Sequence, residues 1–159
     1  MASTEKSIDV NVPIRTAYDQ WTQFESFPQF MEGVEAVRQM GDKRLEWRAK
    51  IAGKTEQWTA DITEQTPDHV IAWRSTSGAE NSGRVTFTPV DASTTKVTVN
   101  IGYDPQGVVE KAGDALGFMD RRVEGDLKRF KTFIEERGAE TGAWRGEIHG
   151  GEVEHGATS

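Results

Sequence analysis

Cysteine is absent from the 159 residues, which excludes disulfides, thiolate nucleophiles and Cys-ligated zinc. Histidine is scarce, with His69 in a turn and His149 and His155 near the C-terminus. None stands four residues from a second ligand on a helical pattern, so no metal site is expected. None accompanies a plausible nucleophile either, which removes a Ser-His-Asp arrangement. The acidic neighbours of His149 and His155 (Glu147, Glu152 and Glu154) read as adventitious metal affinity. No apolar run approaches the roughly 18 residues of a membrane span, and Met-Ala-Ser-Thr-Glu-Lys-Ser lacks the apolar core of a secretory signal. A cytoplasmic protein without stable membrane insertion is expected. Basic runs are missing too. With 26 acidic against 19 basic residues the net charge is −7, which argues against nucleic acid and anionic membranes as partners. The glycines of Gly102–Gly107 lack the GxGxxG spacing within a βαβ unit, so no nucleotide is expected. No cofactor is indicated, and no feature specifies an oligomeric state.

What is present suits one soluble domain: 35% hydrophobic and 28% charged residues in a length ordinary for a single core. The longest periodic segment runs from Gly107 to Arg137. Val109, Ala112, Leu116, Met119, Val123, Leu127, Phe130 and Ile134 recur at intervals of three and four, forming one stripe on a helix. An unbroken helix of that length spans about 45 Å and needs a broad surface beneath it. Gly113 and Gly117 each weaken it by about 1 kcal/mol relative to Ala. These glycines suit either mobile first turns or close packing, while the C-terminal half, with Leu127, Phe130 and Ile134, is expected to pack solidly.

The preceding residues read mostly as strands. Ile8, Val10 and Val12 alternate with Asp9 and Asn11, and Pro13 is suited to open a short helix carrying Ala17, Tyr18 and Trp21. Phe24, Phe27, Phe30 and Met31, interrupted by Pro28 and closed by Gly33, predict a second short helix. Strands are then predicted at 34–40, 45–51, 55–66, 70–75, around Val85–Phe87 and at 97–103, with residues 77–83 a loop and Pro89 a stop. Short turns between strands favour antiparallel pairing. The result is an α+β chain, about seven antiparallel strands making one sheet with an apolar aromatic face and a charged face. Residues 138–159, with six glycines and only Arg145 basic, are expected to form a mobile tail, with Trp144 the exception suited to dock on the domain.

This order of elements resembles the helix-grip arrangement of the SRPBCC (START-like) superfamily over residues 3–137. The likeness rests on Ile8-Asp9-Val10-Asn11-Val12-Pro13 running into Ala17-Tyr18-Asp19-Gln20-Trp21, on Phe24-Glu25-Ser26-Phe27-Pro28-Gln29-Phe30-Met31, and on the Leu116–Ile134 helix. It is most similar to small bacterial polyketide cyclase/dehydrase-like proteins. The resemblance implies an apolar cavity between a curved sheet and the last helix. Trp47, Trp58, Trp73, Phe87 and Tyr103 on the sheet, with Ala112, Leu116 and Met119 opposite, are the expected ligand-binding residues. The residue pattern alone is also met by a filled core, where each large side chain contributes about 1.5–3 kcal/mol without a ligand.

Catalytic groups are sparse. By strand alternation Glu46, Arg48, Lys50, Asp61, Arg74 and Arg84 point away from the aromatic face, and Glu56 falls at its rim. Asp120 and Asp126 flank the helix stripe. Tyr103 and Asp120 are the weak catalytic candidates, the phenol as hydrogen-bond donor or general acid. The expected function is binding of a hydrophobic small molecule such as a lipid, quinone or polyketide-like aromatic. The alternatives are a polyketide cyclase/dehydratase acting by orientation and one or two polar groups, and an interaction protein using its acidic face or tail.

Overall fold

A computed structural model describes residues 2–51, 53–78, 81–103 and 115–154. β1 (Ala2–Val10) leads through Pro13 into α1 (Ile14–Trp21), and a 3₁₀ helix follows at Phe24–Gln29. Pro28 sits inside that short helix, where its missing N–H removes a backbone hydrogen bond and helps keep the element short. Six strands come next: β2 (Val34–Gln39), β3 (Arg44–Ile51), β4 (Lys54–Thr66), β5 (Val70–Gly78), β6 (Asn81–Asp91) and β7 (Thr94–Tyr103). α2 (Ala115–Arg137) is the long helix, and two short strands, β8 (Glu147–His149) and β9 (Glu152–Glu154), complete the chain.

The main path of the sheet runs β1-β7-β6-β5-β4-β3-β2, with every neighbour antiparallel. Shifts of register in β2, β4 and β6 bend these strands and curl the sheet around α2. This is the helix-grip fold. Along β3 the alternation is clean, with Leu45, Trp47 and Ala49 buried and Glu46, Arg48 and Lys50 exposed.

Two strands differ from the sequence expectation. Residues 77–83 are not a single loop: β5 reaches Gly78 and β6 begins at Asn81. Pro89 does not stop β6, because β5 pairs only as far as Thr86 and the ring's missing N–H deprives no neighbour.

The segment expected to be a mobile tail is packed as far as residue 154. Ile148 is fully buried, and β8 pairs with β4 at Glu64 and Gln65. The amides of Thr141 and Trp144 donate to Gln20 Oε1 (2.9 Å) and Thr22 Oγ1 (3.1 Å) on and after α1. Arg145 reaches two carboxylates, Asp19 beneath it and Asp68 at 2.9 Å. Glycine content suggested entropy without compensation; a single buried isoleucine and a buried ion pair supply the compensation. Residues 155–159 lie outside the described residues.

The solid part of the core is aromatic. Trp21 packs against Phe27, Phe30 and Phe130 with ring centroids 5.2–5.6 Å apart in tilted and edge-on arrangements, the geometry aromatic pairs prefer. Phe130 and Ile134 of α2 are fully buried. The helix is fixed lengthwise to the first strand by Lys131 Nζ donating to the Asp9 carbonyl and by the Asn11 amide donating to Glu135.

Candidate functional site

Between the aromatic face of the sheet and the first half of α2 lies a cavity of about 360 Å³. Its sheet wall is a file of indoles. Trp47 on β3 and Trp58 on β4 are register partners, so their side chains leave the same face side by side. Their rings stack at 5.6 Å with 10° between planes, and Trp73 of β5 continues the file at 5.8 Å and 25° from Trp47. Trp73 has room only because Gly83 faces it from β6. A Cβ at Gly83 would stand 2.3 Å from Trp73 Cζ2. The indole nitrogens of Trp47, Trp58 and Trp21 are buried and find no acceptor among the described residues, so these rings present carbon rather than a polar edge. Val99, Ile101, Tyr103 and Asn81 extend the wall, Met119, Val123 and Leu127 of α2 close it, and Trp21 joins it to the solid core.

Five charged side chains also line this space: Glu32, Lys54, Glu56, Arg122 and Asp126. Lys54 and Glu56, at the start of β4, pair with each other at 3.4 Å. Asp126 holds Arg129 and accepts the Glu32 amide at 2.9 Å. Burial raises the Asp126 carboxyl above the ordinary value; the Arg129 hydrogen bond, the Glu32 amide and the Arg122 charge oppose it. Arg122 lies with its guanidinium over Phe118, 5.1 Å from the ring centroid, and donates from Nη1 to the Lys50 carbonyl at 3.3 Å. Gly33 makes that position possible. Its φ is +84°, and a Cβ there would stand 2.5 Å from Arg122 Nη1.

Of the residues expected to bind ligand, Trp47, Trp58, Trp73, Tyr103 and Met119 line the cavity. Phe87 does not. It is buried deeper in the core, edge-on to Tyr18 at 5.4 Å, because α1 covers that end of β6. Ala112 lies outside the described residues, and of Leu116 only the helical backbone is described. Asp120 points the other way, to the Thr4 hydroxyl and to Lys6 of β1 at 3.8 Å, and takes no part in the wall. One helical turn and a half later, Asp126 takes the place expected of Asp120. The expectation that ionisable groups avoid the cavity holds for the six outward strand residues and fails for Glu32, Lys54, Arg122 and Asp126, while Glu56, expected at the rim, lines the cavity from the start of β4. Glu32 and Arg122 had no signal beyond their neighbourhood to Gly33 and to the helix stripe. Among the described residues no cluster of His, Asp and Glu is placed to hold a metal ion, and no helix is long and apolar enough to cross a membrane.

Residues 10–132 match the family model described as polyketide cyclase / dehydrase and lipid transport. The chain belongs to this family. A relative in the family, an uncharacterized 17.2 kDa protein of Streptomyces lincolnensis, is 51% identical over 149 residues, 93% of this chain and 99% of that protein. A START superfamily protein from Mycobacterium smegmatis superposes with a TM-score of 0.71 at 15% identity, covering 85% of this chain and 98% of that one. The Zhui aromatase/cyclase from Streptomyces sp. R1128 does so at 0.66 and 18% identity, covering 90% and 99%. At such identities the two structures share the fold. The polyketide cyclase/dehydrase fold is one that binds hydrophobic ligands, and the cavity described above lies under its long helix.

Proposed function

We propose that this protein binds a hydrophobic small molecule, such as a lipid, quinone or polyketide-like aromatic, in the cavity under α2. The observation that carries the reading is a cavity of about 360 Å³ walled by three near-parallel indoles. Its apolar walls, left without packing partners, forgo dispersion contacts that a flat apolar ligand restores. The volume falls within the range of small-molecule sites. Native mass spectrometry of the protein with candidate flat apolar ligands tests the reading. A one-to-one complex lost on replacing Trp58 by Ala supports it; no complex with any candidate counts against it.

A second reading, a polyketide cyclase/dehydratase, is favoured by one observation. Asp126 stands at the cavity wall with its carboxyl raised by burial and only one of its oxygens given a hydrogen bond. A carboxylate so placed suits proton transfer at a carbon next to a carbonyl, and Tyr103 suits donation to the carbonyl oxygen. Cyclisation of a poly-β-ketone by Asp126→Asn and Tyr103→Phe variants is the test. An unchanged product distribution in both removes this chemistry.

A further inference from the structure

Three acidic and two basic side chains line the cavity, and their pairing is uneven. Lys54 is answered by Glu56 at 3.4 Å, and Asp126 is engaged by Arg129, a cation outside the wall. Arg122 bears on Asp126 through its charge, but its one ion pair among the described residues is with Glu32, whose carboxylate stands 3.9 Å from Nε and whose side chain is 67% exposed, against 17% for Arg122 itself. An ion pair that loose, with one partner in water, contributes little. The guanidinium is nevertheless fixed, by the Lys50 carbonyl, the missing Cβ of Gly33 and the face of Phe118. Those contacts are neutral. They set the position of the charge without cancelling it, and among the described residues no hydrogen bond engages Nη2.

We infer that Arg122 receives the acidic group of the ligand, so that the cavity selects a planar apolar carboxylic acid over its neutral analogue. This deepens the cavity reading above and rests on it. The flat body lies along the Trp47–Trp58–Trp73 file while the carboxylate displaces Glu32 from the guanidinium. The planar fork of Arg suits a carboxylate in two-point contact, and the apolar surroundings strengthen the pair relative to one in water. Glu32, exposed and loosely held, can leave at little cost.

The test is equilibrium dialysis at pH 7 with 2-naphthylacetate and 2-(2-naphthyl)ethanol, which share ring and reach and differ in charge. The native protein binds the acid at least about tenfold more tightly, as a charged hydrogen-bonded contact implies. Arg122→Gln abolishes the preference while retaining the alcohol. Glu32→Gln, at an exposed position, removes the competing carboxylate and tightens the acid without changing the alcohol; this arm decides if Arg122→Gln fails to fold. Equal binding of the two probes by the native protein, binding of the alcohol alone, or a preference that survives Arg122→Gln overturns the inference and leaves the cavity reading standing. Failure of both probes to bind overturns the two together.

Discussion

Asp19, with a side chain only 2% exposed, carries its charge on the strength of Arg145, since its other cation, Arg15, lies in solvent at 3.8 Å. Arg145→Ala therefore leaves a carboxylate buried without a close partner, and about 3 kcal/mol of stability is expected to be lost at pH 7. The loss should shrink at acid pH, and the sign follows from the direction of the shift. Burial raises the Asp19 carboxyl above its ordinary value, against the pull of Arg145. The folded state thus holds the proton more tightly than the unfolded chain does. That contribution is full below the ordinary carboxylate value and is lost as pH rises through the raised one. Without Arg145 the value rises further, so urea denaturation at pH 4 should show a smaller penalty than at pH 7. A penalty equal at both pH values would contradict the assignment. Gly83→Ala is the second residue-scale case. A methyl 2.3 Å from the Trp73 ring must push that indole into the cavity, at about 1–3 kcal/mol by overpacking, and ligand capacity should fall with it. Thermal melting and ligand titration of one variant check both effects. Neither role was legible in the sequence. Gly83 read as the end of a loop and Arg145 as a lone cation in a glycine-rich stretch, because both act through partners 10 to 126 residues away.

Among the elements, α2 was the most legible, since a helix that buries one face must show its period. The stripe holds: Val123, Leu127, Phe130 and Ile134 are buried in turn. Along the described part of the helix, Met119 and Val123 line the cavity while Phe130 and Ile134 are fully buried in the solid core. The cavity reaches down to Leu127, a residue expected in the solid half, with Trp21 beside it at the junction with the aromatic cluster. The division predicts contrasting costs along one element. Phe130→Ala, fully buried among Trp21, Phe30 and Ile134, should lose about 3–5 kcal/mol. Met119→Ala, at the cavity wall and half-buried, should lose under about 1.5 kcal/mol and register in ligand affinity instead. Urea midpoints of the two variants decide. Comparable losses would mean that the first half of the helix is packed as tightly as the second. Strand boundaries were less legible than the helix. A proline or glycine inside β6 is tolerated or required according to what lies on the neighbouring strand, and that neighbour is not adjacent in sequence.

For the molecule as a whole, the curved antiparallel sheet and its gripping helix could be read from alternation, turn residues and the helix period, all of which are local. The closing segment could not. Its role depends on Ile148 finding a vacancy beside Gln65 and on Arg145 finding Asp19, and composition alone spoke for disorder. Ile148→Ala is accordingly expected to destabilise the entire domain by about 2–5 kcal/mol, measured as a single cooperative shift in a denaturant melt; a local loss without movement of the main transition would show the segment to be an independent appendage. The pairing of β1 with β7 carries a kinetic consequence. Ala2 lies opposite Tyr103 and Val10 opposite Thr95, so the first strand has no hydrogen-bonded neighbour until the seventh has been made. The loop entropy of joining such distant stretches must be met before their contacts contribute. Refolding should therefore be slow for a chain of this size, in the millisecond-to-second range of sheet-dominated topologies. Until that last seam closes, the row of indoles stands open to solvent and to other unfinished copies of itself.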